Sequence, residues 1–183
     1  MKSEFCKISY EEKKYYFNVK THDVLNAHFE KIPKAELHEV RRNKLNPILR
    51  EGLLSKDDAT LQKHASVANE VENYELAGDL VEVLLNRDNR NPVAMAIRCS
   101  LLRAQNKPKE AYFEWANFER IGGKSTHAVL TSVAAALVDL KEIDEARRFA
   151  NRAYAMLGGK ATDHLRCVYS AIRAATGEKF VRA

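Results

Sequence analysis

Cys6, His22, His28 and His38 are the residues near the amino terminus whose side chains could bind a metal ion. A zinc site needs several such ligands at short spacings, and two ligands on one helix must lie about one turn apart to share a face. The three histidines are separated by six and ten positions, so no pair of them meets that requirement. The chain also has no CxxC pair. We therefore predict no metal site.

Two short segments in the middle of the chain partly match known catalytic patterns. Arg120 and His127 have six residues between them, an arrangement found in some helical ribonucleases, but there the pair lies on one helix and here Gly122-Gly123 intervenes. The segment Gly122–Ser125 is similar to the end of a phosphate-binding loop, yet no glycine stands five positions before Gly123, where such a loop requires one. We predict that this segment is a turn between two helices.

The remaining polar candidates also have a structural explanation. Glu110 and Glu114 lie one helical turn apart, as on a solvated helix face, and His64 falls on a predicted helix as a packed or surface residue. The sequence contains no nucleophile elbow, HExxH or calcium-loop pattern. We predict a protein that is not an enzyme and has no cofactor. The least favoured alternative is an enzyme whose site is spread along the chain.

The composition indicates what kind of fold must position these side chains. Of 183 residues, 45% are hydrophobic and 30% are charged, which is enough apolar material for a core. Only seven glycines and four prolines occur, and the richness in Ala, Leu, Glu, Lys and Arg favours helix. No run approaches the roughly 18 apolar residues of a membrane span. The amino-terminal residues lack the apolar segment of a signal peptide. We predict a cytoplasmic protein without a membrane span.

The cysteines support the same location. Cys6, Cys99 and Cys167 are odd in number and widely separated, which does not suit a disulfide framework. We expect three small buried thiols in a reducing compartment.

Positive charge is concentrated at the carboxyl-terminal end. The net charge is +5, and residues 147–183 alone carry eight basic and two acidic residues. Such a region could contact nucleic acid or an acidic protein surface, and the alternative is a solvated helix face. The candidate basic contact patch consists of Arg147, Arg148, Arg152, Arg166 and Arg173.

A repeat of 34 to 36 residues organises the chain from about residue 58 onward. Turn-like polar segments begin at Glu72, Asn106, Lys141 and Gly177, at intervals of 34, 35 and 36 positions. An alanine lies five positions after each of the first three starts and opens an apolar stripe with helical spacing. These alanines are Ala77, Ala111 and Ala146.

A second amphipathic stretch precedes each turn and carries small residues in its middle. Examples are Ala68, Cys99 and Ala134. Breaks follow each pair of stretches, at Pro92 and at two Gly-Gly pairs, of which Gly123 and Gly158 lie 35 positions apart. Small facing residues allow two antiparallel helices to approach closely, and each resulting hairpin must stack on a neighbour to bury its free face.

The segments Glu72–Pro92, Asn106–Gly123 and Lys141–Gly159 resemble the second helix and closing turn of the tetratricopeptide repeat. The likeness covers about residues 58–180. It implies a mainly α protein, an α-solenoid of about three helical hairpins with a capping helix at about 162–175. The family's aromatic and tyrosine positions in the first helix hold other residues here, so no subfamily is indicated. An unrelated helical bundle is the alternative.

Residues 1–57 do not fit the repeat, and we predict two domains, 1–57 and 58–183. The segments 5–10 and 15–19 are rich in aromatic and β-branched residues that alternate, which predicts a β-hairpin. One amphipathic helix is the alternative. An isolated hairpin is barely stable. We expect it to dock on the helices, to pair with a second copy in a homo-oligomer or to accept a partner strand.

Helices are predicted after the hairpin. One covers residues 23–31 and another covers residues 34–54, with an interruption near Pro47.

The tetratricopeptide resemblance implies that the first helix of each hairpin faces a concave groove. Helical spacing from those helices gives a surface of small, mildly polar side chains with Arg103 as its main charge. Lys63 and Asn69 alone do not make the basic clamp with which some tetratricopeptide co-chaperones hold carboxylates. The predicted groove residues are Gln62, Ser66, Asn69, Val93, Ala96, Ser100, Arg103, Ala128, Thr131, Ala135 and Val138, with His164, Cys167 and Ala171 from the capping helix.

This surface favours a non-enzymatic adaptor or chaperone that binds a partner peptide or helix in the groove. The groove could instead be empty or filled by the amino-terminal segment. The alternative function is a nucleic-acid-associated component of a larger complex that uses the basic carboxyl-terminal region.

Overall fold

The fold, given by a computed structural model, is described for residues 5–177. Most of these residues are helical, and a small three-stranded sheet lies at the amino-terminal end. The predicted mainly α class with a small amino-terminal β element is confirmed. Two compact units divide the chain, an amino-terminal unit, Met1–Leu84, and a carboxyl-terminal unit, Leu85–Ala183. Independent folding on either side of residue 57 stays a prediction.

The amino-terminal sheet is built on the predicted hairpin. Strand β1 (Phe5–Tyr10) pairs antiparallel with β2 (Lys13–Asn18). Glu11 and Glu12 join them with φ angles of 46° and 63°, the left-handed conformation of a two-residue hairpin turn. A third strand, β3 (Val24–Leu25), adds to the other side of β2. The hairpin therefore does not stand alone.

The predicted helix at residues 23–31 is wrong. Val24–Leu25 forms β3, and a tight turn follows it. The side-chain oxygen of Asn26 accepts hydrogen bonds from the backbone N–H groups of His28, at 2.8 Å, and Glu30, at 3.0 Å. An asparagine that satisfies nearby backbone donors in this way favours a turn over a helix.

One face of the sheet packs on the helical segment that follows. Tyr15, Phe17 and Val24 are buried together with Val40 and Leu45. This apolar contact is what stabilises a sheet that would be marginal in isolation.

The segment 34–53 is helical throughout, and Pro47 does not break it. Helix α1 (Lys34–Val40) continues into a π-helical segment, Arg41–Leu45, and then into α2 (Asn46–Leu53). Proline lacks the N–H that would bond to the preceding turn, and its ring crowds that turn. The wider π-helical segment lies in the turn before Pro47, where it accommodates this mismatch. The predicted interruption is therefore a local change of helix type.

The repeat region begins with two helices, α3 (Asp58–Glu70) and α4 (Tyr74–Arg87). Asp57 caps α3 by accepting a hydrogen bond from the backbone N–H of Thr60 at 2.9 Å. The predicted small residues Ala68 and Ala77 are fully buried.

Five further helices follow at the predicted repeat positions. Asn91, Thr126 and Thr162 cap three of them through their side chains, and prolines begin two. No helix among residues 5–177 combines the length and the apolar character of a membrane span. The helices are α5 (Pro92–Ala104), α6 (Pro108–Arg120), α7 (His127–Asp139), α8 (Ile143–Met156) and α9 (Asp163–Thr176).

The turns that join α3 to α4, α5 to α6 and α7 to α8 share one conformation. Glu72, Asn106 and Lys141 have φ angles of 59°, 60° and 66°. The next residue in each turn donates its backbone N–H to the carbonyl five positions earlier, as Lys107 does to Leu102 at 2.8 Å. The same local structure thus recurs at the predicted intervals of 34 and 35 residues.

The glycine pair between α6 and α7 has two different structural roles. Gly122 adopts a φ of 89°, which L side chains rarely adopt. Gly123 has an ordinary φ, but a Cβ atom there would lie 2.6 Å from the ring of Phe118. Gly122 therefore turns the chain, and Gly123 leaves room for a buried ring.

Helix α7 lies at the centre of the carboxyl-terminal unit. It packs against α5, α6, α8 and α9, and Val129–Leu137 is buried. Across α6 and α8, the rings of Trp115 and Phe149 meet edge to face at 4.8 Å. The repeat alanines Ala111 and Ala146 are fully buried, as the small-residue pattern predicts.

The expectation of three buried thiols is wrong for two of them. Cys99 is buried, whereas Cys6 and Cys167 are exposed. Cys6 lies on β1, which is an edge strand of the described sheet. Cys167 lies on α9.

Candidate functional site

The α5–α7–α9 cleft is a concave surface of the carboxyl-terminal unit with a volume of about 230 Å³. Three helices contribute to it because α5 and α9 both pack against α7. Its lining consists of Arg103 from α5, Ala135, Val138 and Asp139 from α7, and His164, Cys167, Val168 and Ala171 from α9.

The floor of this cleft is apolar and made of small side chains. Ala135 is 5% exposed and Val168 is 3% exposed, and Ala171 is partly exposed beside them. Small side chains let the three helix axes approach closely, and the shallow depression above them remains open. Such a floor suits small apolar anchors.

The rim of the cleft is polar. Arg103 Nε lies 2.6 Å from Asp139 Oδ2, in an ion pair that is partly exposed on both sides. Desolvation and the positive charge of Arg103 lower the pKa of His164. Because His164 is held neutral in this way, Arg103 and Asp139 are the charged groups among the side chains that line the cleft.

The cleft unites several of the predicted groove residues. Arg103, Ala135 and Val138 line it together with the predicted capping-helix residues His164, Cys167 and Ala171. The remaining predicted groove residues do not line it. They are Gln62, Ser66 and Asn69, which belong to the amino-terminal unit, and Val93, Ala96, Ser100, Ala128 and Thr131.

Thr131 and Ala96 illustrate why helical spacing alone does not define a groove. Both are buried, and the Thr131 hydroxyl donates to the backbone carbonyl of His127 at 2.7 Å. A threonine that bonds the preceding turn of its own helix needs no partner outside it. A shared binding surface that includes these residues stays a prediction.

The predicted basic patch divides between two settings. Arg148 pairs with Glu145 on its own helix at 2.7 Å, and the Arg152 guanidinium lies over the ring of Phe149 at 5.4 Å. Arg166 and Arg173 instead line a second depression, the α8–α9 cleft, with a volume of about 500 Å³. Arg147 does not line that cleft.

Two tyrosines that sequence reasoning did not single out line the α8–α9 cleft with these arginines. The rings of Tyr154 and Tyr169 meet edge to face at 6.3 Å. The Tyr169 hydroxyl donates to Asn151 Oδ1 at 2.8 Å. Burial, with the nearby Tyr154, raises the pKa of Tyr169, so its hydroxyl stays protonated and remains a donor. In the sequence, Tyr154 lies two positions after Arg152 and Tyr169 lies three positions after Arg166. This proximity to the arginines is the sequence signal that could have indicated them.

The segments that resemble catalytic patterns have structural roles. Ser125 accepts a hydrogen bond from the Trp115 indole at 3.0 Å and donates one to Glu119 at 2.6 Å. The Gly122–Ser125 segment therefore connects α6 to α7, and the hydrogen bonds of Ser125 hold it against α6. Arg120 pairs with Asn117 on its own helix at 2.7 Å.

His22 is the candidate metal ligand with the most unusual setting. It is 1% exposed, and its Nε2 lies 2.9 Å from Nδ1 of His64. His28 and His38, in contrast, are both exposed and lie elsewhere on the unit. Among residues 5–177, no three His, Cys, Asp or Glu side chains are grouped as metal ligands.

Comparison of the chain with models of protein families, with curated proteins and with solved structures finds no match. The tetratricopeptide resemblance thus rests on the repeat of the sequence and on the matching turns.

Proposed function

We propose that the protein is a non-enzymatic adaptor or chaperone that holds a short segment of a partner protein in the α5–α7–α9 cleft. The observation that carries this proposal is the meeting of Arg103, Ala135 and Ala171 from three separate helices around one concave surface. Concave surfaces lined by apolar side chains with a few polar groups are where proteins most often hold ligands.

The chemistry of the cleft defines the segment that would fit. Small apolar side chains of the segment would enter the floor over Ala135 and Ala171. A carboxylate or a main-chain carbonyl would bind Arg103, whose ion pair with Asp139 is partly exposed and therefore weak enough to exchange partners. Charge-assisted hydrogen bonds of this kind would fix the orientation of the bound segment.

We also propose that about residues 58–180 form a repeat region of the tetratricopeptide type. The support comes from helices of 13 or 14 residues joined by turns of one conformation at intervals of 34 and 35 positions. Helical repeats of this kind expose an extended concave surface that suits protein segments. Three cysteines without a disulfide support a reducing location such as the cytoplasm.

Photo-crosslinking from Cys167 tests the proposal. A Cys6→Ser protein carries one exposed cysteine in its described part, Cys167, which lines the cleft. This thiol is labelled with a benzophenone maleimide, the protein is irradiated in an extract of its native cells, and crosslinked peptides are sequenced. We expect the label on Cys167 to crosslink to the same short segment of one partner protein in each replicate experiment.

The matched control carries the label on another helix. Phe113 on α6 is 58% exposed, and Phe113→Cys in a Cys6→Ser/Cys167→Ser protein places the same reagent away from the cleft. The proposal requires the segment to be captured from Cys167 and not from position 113. Equal capture from both positions, or capture of unrelated peptides, would contradict it.

A further inference from the structure

We propose that the α8–α9 cleft is a binding site for single-stranded nucleic acid. Its lining combines two arginines, Arg166 and Arg173, with two tyrosines, Tyr154 and Tyr169. Proteins that bind single strands combine positive charge that follows the phosphates with aromatic rings on which bases stack. The cleft presents both kinds of group on two adjacent helices.

The charge around the cleft favours an anionic ligand. The described segment 147–177 contains six basic residues and one acidic residue, Asp163. Asp163 pairs with Arg166 at 2.8 Å, but the carboxylate side chain is 95% exposed. Exposed pairs contribute little free energy, so a phosphate can replace this carboxylate at Arg166.

The aromatic groups favour a nucleobase over a purely charged ligand. Tyr154 is 41% exposed, so part of its ring remains accessible for stacking. Tyr169 is fixed by its hydrogen bond to Asn151, and this bond engages the carbonyl oxygen of the amide. The amide nitrogen of Asn151 keeps donors that can reach the edge of a base, and Ser170 adds a hydroxyl.

The size of the cleft selects single strands. A volume of about 500 Å³ lies within the roughly 300–1,000 Å³ range of sites for small ligands, and it suits one nucleotide unit. A duplex keeps its bases stacked inside, whereas an unpaired base can leave the strand and stack on a tyrosine. This site is separate from the α5–α7–α9 cleft, so either proposal can fail without the other.

Fluorescence anisotropy with a labelled single-stranded 12-nucleotide oligouridine tests the site on the full-length protein. We expect binding that weakens as salt rises, with a log–log slope of about −1.4 for two phosphate contacts. Arg166→Gln/Arg173→Gln should weaken binding by about tenfold or more and flatten that slope. The double variant Arg120→Gln/Lys124→Gln removes the same charge outside the cleft, and it should change binding by less than about twofold.

Tyrosine variants separate a nucleic-acid site from a general cation patch. Tyr154→Ala should weaken oligouridine binding by about tenfold, whereas Tyr154→Phe keeps the ring and should bind within about twofold of wild type. The proposal is overturned if Tyr154→Ala binds normally or if a 12-residue oligoglutamate binds as tightly as the oligonucleotide. Tighter binding of a duplex of equal length, or no binding of oligouridine at low salt, overturns it as well.

Discussion

His22 and His64 form a hydrogen bond between their imidazole rings, with Nε2 of one 2.9 Å from Nδ1 of the other. The rings also stack, with their centroids 5.2 Å apart. One nitrogen donates and the other accepts, so at least one ring must be neutral. His22 Nδ1 is buried without a hydrogen-bond partner among the described residues. The pair fastens the segment after β2 to α3.

We predict that stability falls as the pH decreases from about 6.5 to about 4. Burial, followed by the positive charges of His64 and Arg41, lowers the pKa of His22 from 6.5 to about 4. The unfolded chain therefore takes up a proton at a higher pH than the folded chain does. As a result, the free energy of unfolding is highest above pH 6.5 and decreases as the pH falls towards 4. Protonation of His22 lowers the free energy of unfolding by about 3 kcal/mol at pH 4. Urea unfolding at pH 7.5, 5.5 and 4.5 measures it.

Two histidine variants isolate this effect. Asn tolerates the left-handed backbone of His22, whose φ is 56°, so His22→Asn should flatten the pH dependence while it lowers stability at pH 7.5. His28 is exposed, and His28→Asn should leave the pH dependence unchanged. An unaltered pH profile in His22→Asn would refute the role of the pair.

Two of the three thiols should react rapidly in the folded protein. Cys6 and Cys167 are exposed, whereas burial raises the pKa of Cys99 to about 12 and keeps it a thiol. Titration with Ellman's reagent should give two fast equivalents, and the third should appear on unfolding in urea. Three fast equivalents in the native protein would show that α5 is not packed as described.

The glycines at 123 and 52 should respond oppositely to alanine. At Gly123 a Cβ atom would lie 2.6 Å from the buried Phe118 ring, so Gly123→Ala should lower the unfolding free energy by about 1–3 kcal/mol. Gly52 lies in α2 with nothing within 4 Å of such a Cβ, and Gly52→Ala should raise stability by about 0.5–1 kcal/mol. The melting temperatures of the two variants, compared with that of the wild type, distinguish these effects. Similar effects at both positions would be inconsistent with this packing.

A buried amide pair should behave as one unit. Asn46 and Asn73 donate to each other's side-chain oxygens at 3.2 Å and 2.8 Å, and both are buried. Either alanine variant leaves the other amide unsatisfied and should cost about 2 kcal/mol. The double variant should cost clearly less than the sum, as a double-mutant cycle measures. Additive costs would show that the pair is not coupled.

The repeat was predictable because its signals are local. Polar turn residues such as Asn106 and Lys141 start new helices at fixed intervals, and small residues such as Ala111 and Ala146 occupy the tight contacts. Helix propensity, capping and the left-handed turn act within a few residues of each other. The local sequence of each segment is therefore enough to predict its two helices and the turn between them.

The structural features that the sequence patterns did not predict depend on contacts between residues far apart in the sequence. His22 meets His64 across 42 positions, and β3 forms because β2 offers it an edge. Tyr154 and Tyr169 join the arginine-lined cleft because α8 and α9 pack together. Helical spacing placed Thr131 on the predicted groove, but packing buries it. Tertiary contacts decide such features, and local patterns do not encode them.

The most direct measurement of the central claim is the affinity of the segment captured from Cys167 for two neighbouring variants of α9. Ala171 lines the α5–α7–α9 cleft and Ser170 lines the α8–α9 cleft, so arginine at either position adds the same bulk and charge to a different surface. We predict by calorimetric titration that Ala171→Arg weakens binding by about tenfold or more while Ser170→Arg leaves it unchanged. Equal affinities for wild type and Ala171→Arg, with both proteins folded, would contradict the account.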